Sequence, residues 1–333
     1  MNKLFRMLSI VLIAILALSA CTAAPAQPEE PVVGDEPLRI AIVTPSNIND
    51  LAFSQSISDA MIALQGELGK DKIEYVYSEN MFVVDDAAAA IRSYAQQGYD
   101  IILAHGSQYG SSVQEIAPDF PDTVFAWGTT VDTFGQSNIH AYEAASDQGG
   151  FVNGVMAALL TKTKVIGVVG PIETGDAKLY IDGFVAGVKS VDPTIDVRVT
   201  YIGSFSDVAL AAEAATTHLS AGADVLTGSA QMVIGAIGKA QEAGAYWFGT
   251  QADQTSFAPD VVVASQVYHW EVILKEILKM KAEGVLGGVE FAANLENGGQ
   301  VIKINPDIPI PEGVKEKANE VIQGIIDGSI TIP

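Results

Sequence analysis

The strongest constraint on the fold is a rhythm. LRIAIV, residues 38–43, is apolar and β-branched with no polar alternation. A strand buried on both faces reads this way. Helical spacing follows over 54–67, then a strand over 73–77, a helix over 85–97 and a strand over 100–104. A helix over 113–117 and a strand over 124–126 complete the run. Strands separated by helices pair in parallel, with the helices covering both faces. The pattern then restarts. GGFVNGVMAALL, 149–160, has small residues on one face and predicts a tightly packed helix. Strands over 165–169, 197–201, 225–226, 246–248 and 261–265 alternate with helices over 180–189, 207–221 and 233–243. An amphipathic helix over 271–283 follows, and 285–333 adds a few strands and a closing helix. With 333 residues the chain has room for two domains. The expectation is α/β: one lobe from 38–143 plus about 268–305, the other from 144–267 plus the C-terminal segment.

In parallel sheets, ligands sit beyond the carboxyl ends of the strands. Those positions repeat one recipe here: glycine, hydroxyl or amide, and aromatic. TPSNINDLAFSQS brings Asn49, Asp50, Phe53 and Ser54 after the first strand. HGSQY brings Ser107 and Gln108, WGTT brings Trp127, and GSFSD brings Phe205. GSAQ brings Gln231, GTQADQ brings Gln251 and Asp253, and QVYHW brings Trp270. Phe53 and Phe205 lie in different halves, so a flat ring could be held between them while amides and carboxylates read its edge. Each feature also has a plainer reading. A Phe at a helix start plugs cores, and Asp207 three residues after Ser204 suits a helix cap.

Charge excludes some partners. Acidic residues outnumber basic ones 40 to 18, for a formal net charge of −22. Nucleic acid or an anionic membrane surface needs clustered Lys and Arg. The first stretch is a leader: Lys3 and Arg6 precede LSIVLIAILALSA, an apolar run too short for a comfortable span. It ends at Leu18-Ser19-Ala20-Cys21, and Cys21 is the only cysteine. This resembles a bacterial lipobox, which implies diacylation of Cys21 and cleavage before it. Residues 1–20 are then a lipoprotein signal peptide. Residues 21–37, rich in Pro, Ala and Glu, are a flexible tether. A lipid anchor is the expected membrane attachment.

Reactive chemistry is missing. There is no Gly-x-Ser-x-Gly elbow. GPIETGDAK, 170–178, nearly imitates a phosphate loop, but Asp176 stands where that motif needs Lys and would repel phosphate. It reads as a strand-to-helix loop. The four histidines lack metal-ligand spacing. His105 and His269 follow strands, with cleft and structural roles both open. No enzyme, metal or cofactor is expected.

DLAFSQS, IILAHGSQYGSSVQEIAPDFPDTVFA, GGFVNGVMAALLTKTKVIGVVGP, YIGSFSD, GADVL and FGTQADQTSFAPDVVVAS resemble, in order and spacing, the BMP (basic membrane protein) family. These are substrate-binding lipoproteins of ABC importers, including purine nucleoside receptors. The resemblance spans about 38–290. It implies a type I periplasmic-binding-protein fold, with two Rossmann-like lobes, a multi-segment hinge and a ligand in the cleft. It further implies that Phe53 and Phe205 stack on the base, and that Asn49, Asp50 and Ser54 contact it. The expected partners are that small ligand and a permease, with the protein a monomer outside the cytoplasmic membrane.

This sequence departs from the family at Gln251. Nucleoside-holding members usually read Gly-x-Asp-x-Asp-Gln there, the first Asp binding sugar hydroxyls. The usual Lys beyond Ser265 is also missing, and Tyr268-His269-Trp270 occupies the region. A neutral amide offers donor and acceptor, whereas a carboxylate takes two strong bonds from a diol. The expectation is therefore a free purine base or related flat heterocycle, with Trp270 narrowing the site. Asp253 could contact ligand or serve as a structural acid. The rival readings are a sugar or furanose binder on the same fold, a surface receptor uncoupled from transport, and a nucleoside hydrolase.

Overall fold

The computed structural model describes residues 36–333, so Cys21, the leader and most of the tether lie outside the described residues. The first sheet is built from β1 (Leu38–Val43), β2 (Ile73–Ser78), β3 (Ile101–His105), β4 (Val124–Gly128) and β5 (Ile139–Ala144). Helices α1 (Phe53–Leu68), α2 (Val84–Gln96) and α3 (Gly110–Ile116) connect them. The chain then crosses over. Helix α4 (Ser146–Leu160) opens the second lobe, followed by β6 (Val165–Gly170), α5 (Gly175–Val191), β7 (Asp196–Tyr201) and α6 (Val208–Ser220). The lobe continues through β8 (Val225–Gly228), α7 (Val233–Ala243), β9 (Tyr246–Gln251) and β10 (Val262–Tyr268). The chain returns to the first lobe for α8 (Glu271–Ala282) and β11 (Glu290–Ala293). It goes back once more for β12 (Gln300–Ile304) and α9 (Glu312–Ile326).

The sheets run β11-β5-β4-β3-β1-β2 and β12-β10-β9-β8-β6-β7. Apart from the antiparallel β10–β12 pair, all these pairings are parallel. The two orders match position for position, and the sheets differ only in the direction of the edge strand, parallel for β11 and antiparallel for β12. The expected rhythm is present, with two differences. The strand β5 was not anticipated, because IHAYEA is half polar, although five of its six residues are buried. Strand β12 joins the second sheet, so the segment 268–305 is divided between the lobes and its return falls between β11 and β12. Three crossings therefore link the lobes, after β5, after β10 and after β11.

Each sheet is covered on both faces by apolar clusters. Ile40, Ile42, Ile57, Met61 and Trp270 lie on one side of the first sheet, and Ala41, Val43, Ile91, Val113 and Phe125 on the other. The second sheet is packed by Val168, Phe184 and Phe248 on one side and by Leu226, Ile237 and Trp247 on the other.

The small-residue face of α4 packs on α5 at backbone distance. A Cβ at Gly154 would meet the Phe184 carbonyl oxygen at 2.1 Å, and one at Gly187 would meet that of Phe151 at 2.2 Å. Replacing Gly by Ala gains about 1 kcal/mol of helix propensity. Forcing a methyl into backbone costs more, about 1–3 kcal/mol or beyond. Gly154→Ala is expected to destabilise the protein by about 2 kcal/mol in urea unfolding.

Candidate ligand-binding site

Both sheets have a switch point, between β1 and β3 and between β6 and β8. Connections leave opposite faces there, and a crevice opens at the carboxyl ends of the strands. One cavity of about 220 Å³ lies at this end, lined from both lobes. The first lobe contributes Pro45, Phe53, Phe82, Gly106, Ser107, Gln108 and Thr129. The second contributes Asp176, Ala177, Phe205, Ala230, Gln231 and Gln251.

Phe53 opens α1 and is 7% exposed. Its ring lies flat on the His105 imidazole, with centroids 3.9 Å apart and planes at 9°. His105 is the last residue of β3 and fully buried. Its Nε2 faces the Phe53 carbonyl oxygen at 3.1 Å, which can only accept, so Nε2 carries the proton. Nδ1 then accepts from the Tyr142 hydroxyl at 2.8 Å. Burial pushes the imidazole down to about 3, so it is neutral at physiological pH. His105 is thus the backing of an aromatic platform and not part of the cavity wall. His269 lies outside the wall too, partly exposed beside Glu271.

Asp176 stands in the first turn of α5. Its Oδ1 accepts from the Thr129 hydroxyl at 3.3 Å, across from the first lobe. Its Oδ2 accepts from the Tyr268 hydroxyl at 3.4 Å and the Gln251 amide at 3.5 Å. Burial pushes its carboxyl above the ordinary carboxylate range, against the bonds from Gln251 and Thr129. Among the described residues no Lys, Arg or His lines the cavity.

Gln251 ends β9 with φ at +74°, a conformation rare outside glycine. It is 2% exposed, and its Oε1 has no partner among the described residues. Gln231 Oε1 is likewise buried and unpartnered, next to Ala230, also at φ +74°. An unsatisfied buried acceptor costs about 1–3 kcal/mol. Two of them on one cavity wall suit a ligand that brings donors. Backbone held in this region is a recurring property of ligand clamps.

Of the twelve ligand contacts expected from sequence, the structure brings Phe53, Ser107, Gln108, Phe205, Gln231 and Gln251 to the cavity. The other six are placed elsewhere. Asn49 is exposed and outside the cavity wall, and the Asp50 carboxylate is used in its own turn, accepting from the amides of Ala52, Ser54 and Gln55. Ser54 is fully buried, and its Oγ accepts from the Ser46 amide. Trp127 stacks on Phe134 and donates to the Gly106 carbonyl, so it supports the Ser107–Gln108 loop from behind. Asp253 is paired with Lys303 at 2.5 Å. Trp270, expected to narrow the site, is in the first-lobe core, where its Nε1 donates to Ser56 Oγ at 2.8 Å. The residue after Trp270 opens α8, which turns the ring into that core. Asp207 caps α6 by accepting from the Leu210 amide at 2.9 Å. Gln254 accepts from Trp247 and donates across the cleft to the Leu51 carbonyl at 3.0 Å.

Sequence reasoning missed Asp176, Phe82 and Thr129 as cavity residues. Thr129 stands in a strand-end group already singled out, so its signal was present. Asp176 and Phe82 lie several residues beyond β6 and β2, past the point where a strand-end search stops.

The Bmp family profile, described as ABC transporter substrate-binding protein PnrA-like, matches residues 38–333. A purine-binding protein of Brucella abortus is 28% identical over 298 residues, covering 89% of this chain and 83% of the relative. The ABC transporter nucleoside-binding protein BmpA of Lactococcus lactis is 29% identical over 317 residues, covering 89% of each. A solved ABC-transporter solute-binding protein from Conexibacter woesei superposes with TM-score 0.74 at 21% identity, covering 89% of this chain and 98% of that one. That likeness places the fold among the type I periplasmic solute-binding proteins. Among the described residues no helix is long and apolar enough to cross a membrane. The role of the family is to bind a substrate outside the cytoplasm for a permease, without catalysing a reaction. With its fold, its two-lobed cavity and a match along the whole folded region, the chain belongs to the Bmp family of PnrA-like ABC transporter substrate-binding proteins.

Proposed function

We propose that this chain is a lipid-anchored extracytoplasmic receptor that captures a purine base or related flat heterocycle for an ABC permease. The observation that carries the reading is that Phe53 and Phe205, from separate lobes, line one cavity with amide oxygens and a carboxylate at its edge. Rings can grip both faces of a planar guest while polar groups read its rim. At about 220 Å³ the cavity falls below the usual range of ligand sites, about 300–1,000 Å³, which favours a small guest of one or two fused rings. The names of the two relatives, purine-binding and nucleoside-binding, point the same way.

A nucleoside is the second reading, and Asp176 favours it. Sequence alone argued against a sugar because residue 251 is not acidic, yet a carboxylate stands 3.5 Å from the Gln251 amide. Carboxylates accept well from vicinal hydroxyls. A sugar without a base leaves the aromatic pair unused.

Ligand bridging both lobes favours the closed form by its differential contacts. The bonds from Thr129 to Asp176 and from Gln254 to Leu51 already cross the cleft. The closed monomer then presents both lobe surfaces to the permease. Cys21 would hold it at the membrane; labelling with a radioactive fatty acid, lost in Cys21→Ala, tests the anchor.

Titration calorimetry with adenine, guanine, hypoxanthine, xanthine, adenosine and inosine tests the ligand class. Submicromolar binding of at least one is expected. Binding of ribose or glucose with no response to any purine overturns the reading. Among the described residues the cavity wall has a carboxylate and no cation, so a 5′-phosphate is expected to lower nucleoside affinity by about 100-fold or more. Inosine against its monophosphate, in the same calorimeter, checks this.

A further inference from the structure

We propose that Asp176 and Gln251 act as a paired acceptor that takes two adjacent N–H or O–H donors of the ligand and so sets its selectivity. The inference rests on the flat-heterocycle reading of the same cavity. Its first support is the orientation of the Gln251 amide. Its Nε2 points at Asp176 Oδ2, 3.5 Å away. The flipped amide would set oxygen against oxygen, so the carboxylate fixes Oε1 as the remaining acceptor. That Oε1 is buried and has no partner among the described residues.

The second support is unused capacity on Asp176. Its side-chain donors are Thr129, Tyr268 and Gln251, at 3.3, 3.4 and 3.5 Å, all neutral and all long, and its own backbone amide adds to them. When ionised, a carboxylate has about four acceptor positions, and each donor that bonds it favours that form against the burial that opposes it. Good charge-assisted bonds are shorter, about 2.7–2.9 Å from nitrogen. Among the described residues the cavity wall offers no Lys, Arg or His to fill the remaining positions. The remaining positions are open to donors from the ligand. The carboxylate is also at the N-terminal turn of a 17-residue helix, whose dipole favours negative charge there.

The third support is the backbone that presents the pair. Gln251 is held at φ +74°, which turns its side chain out of the strand's alternation and toward α5. A ligand edge with two neighbouring donors satisfies Oε1 and a carboxylate oxygen together. An edge that offers an acceptor leaves two oxygens facing a third. Two chemical sources fit: the ring N–H and amino group of a 2-amino-6-oxopurine, or the vicinal hydroxyls of a ribose.

Two ligand pairs separate the sources. Guanine and hypoxanthine differ by the amino donor. Inosine and 2′,3′-dideoxyinosine differ by the diol. Affinities are measured by calorimetry or competition on the whole mature protein, as wild type and as Asp176→Asn. A hydrogen bond to a charged group corresponds to about 10- to 150-fold in affinity, so a separation of about 30-fold is expected within one pair in the wild type. In Asp176→Asn that separation is expected to shrink to about 3-fold or less, because the amide offers one acceptor and two donors. Gln251→Met, which removes the amide oxygen at similar volume, is expected to shrink the same separation, and replaces Asp176→Asn if that variant does not fold. Separation of the first pair assigns the acceptors to the base edge, and separation of the second to the ribose. If purines bind but neither pair separates, or the variants keep the separation, the paired-acceptor proposal is overturned while the purine reading stands. If no purine binds the wild type, both fall.

Discussion

Phe53→Ala is expected to lower purine affinity about 100-fold and stability by about 3 kcal/mol. The two losses have different origins. Base–aromatic stacking is worth about 1–3 kcal/mol per base, and the ring is one face of the proposed grip. The stability loss follows because the ring also lies on His105 at 3.9 Å and packs with the first-lobe core. Removal of a buried Phe costs about 3–5 kcal/mol, and the lower end applies because one side of this ring already meets the cavity. Phe205→Ala separates the effects. Phe205 is only half-buried and belongs to none of the apolar clusters. Its removal is expected to cost under about 1 kcal/mol of stability and still about 30-fold in affinity. Urea unfolding and calorimetry on the same preparations check both. Equal purine binding by wild type and Phe205→Ala would sink the two-sided grip.

Acid is expected to destabilise the protein through His105 by about 3 kcal/mol at pH 4 relative to pH 7. Its folded value is pushed down to about 3 by burial, from an ordinary 6.5. The folded state therefore resists a proton that the unfolded chain accepts below 6.5. The contribution of the neutral imidazole is complete above that value and lost as pH falls from 6.5 toward 3. Burial lowers His140 and His218 as well, with the same sign. Burial raises Asp50, Asp59, Glu143, Asp147 and Asp176. Those carboxyls take up protons more readily when folded, so they oppose the loss in acid. The wild-type curve alone mixes these effects. Its difference from His105→Gln isolates the imidazole, because the other groups are common to both proteins. Parallel stability curves for the two proteins from pH 7 to 4 would contradict the burial of a neutral His105.

The alternation of apolar runs and helical stretches was enough to place most elements and to require parallel sheets in two lobes. Burial of a strand on two faces leaves a local signature, and so does a helix packed on one side. The glycines of α4 were legible too, since close backbone approach demands them. Strand β5 escaped because its His140 and Glu143 interrupt the apolar run, and only pairing with β4 and β11 shows where it lies.

Residue choice at the cavity was half legible. Phe53, Ser107, Gln108, Phe205, Gln231 and Gln251 follow strands and reach it. Asp50, Trp127 and Trp270 follow the same pattern and do not, because each is held by local bonds or core packing. Asp176 read as a failed phosphate loop, and its meaning emerged only with Thr129, Gln251 and Tyr268 around it. Those partners are 47, 75 and 92 residues away in the chain. Spacing along a chain reports which faces of an element are buried, and that was settled by the sequence itself. Which polar groups from distant strand ends point into one space depends on how two sheets dock across three crossings, and only the tertiary structure decided it.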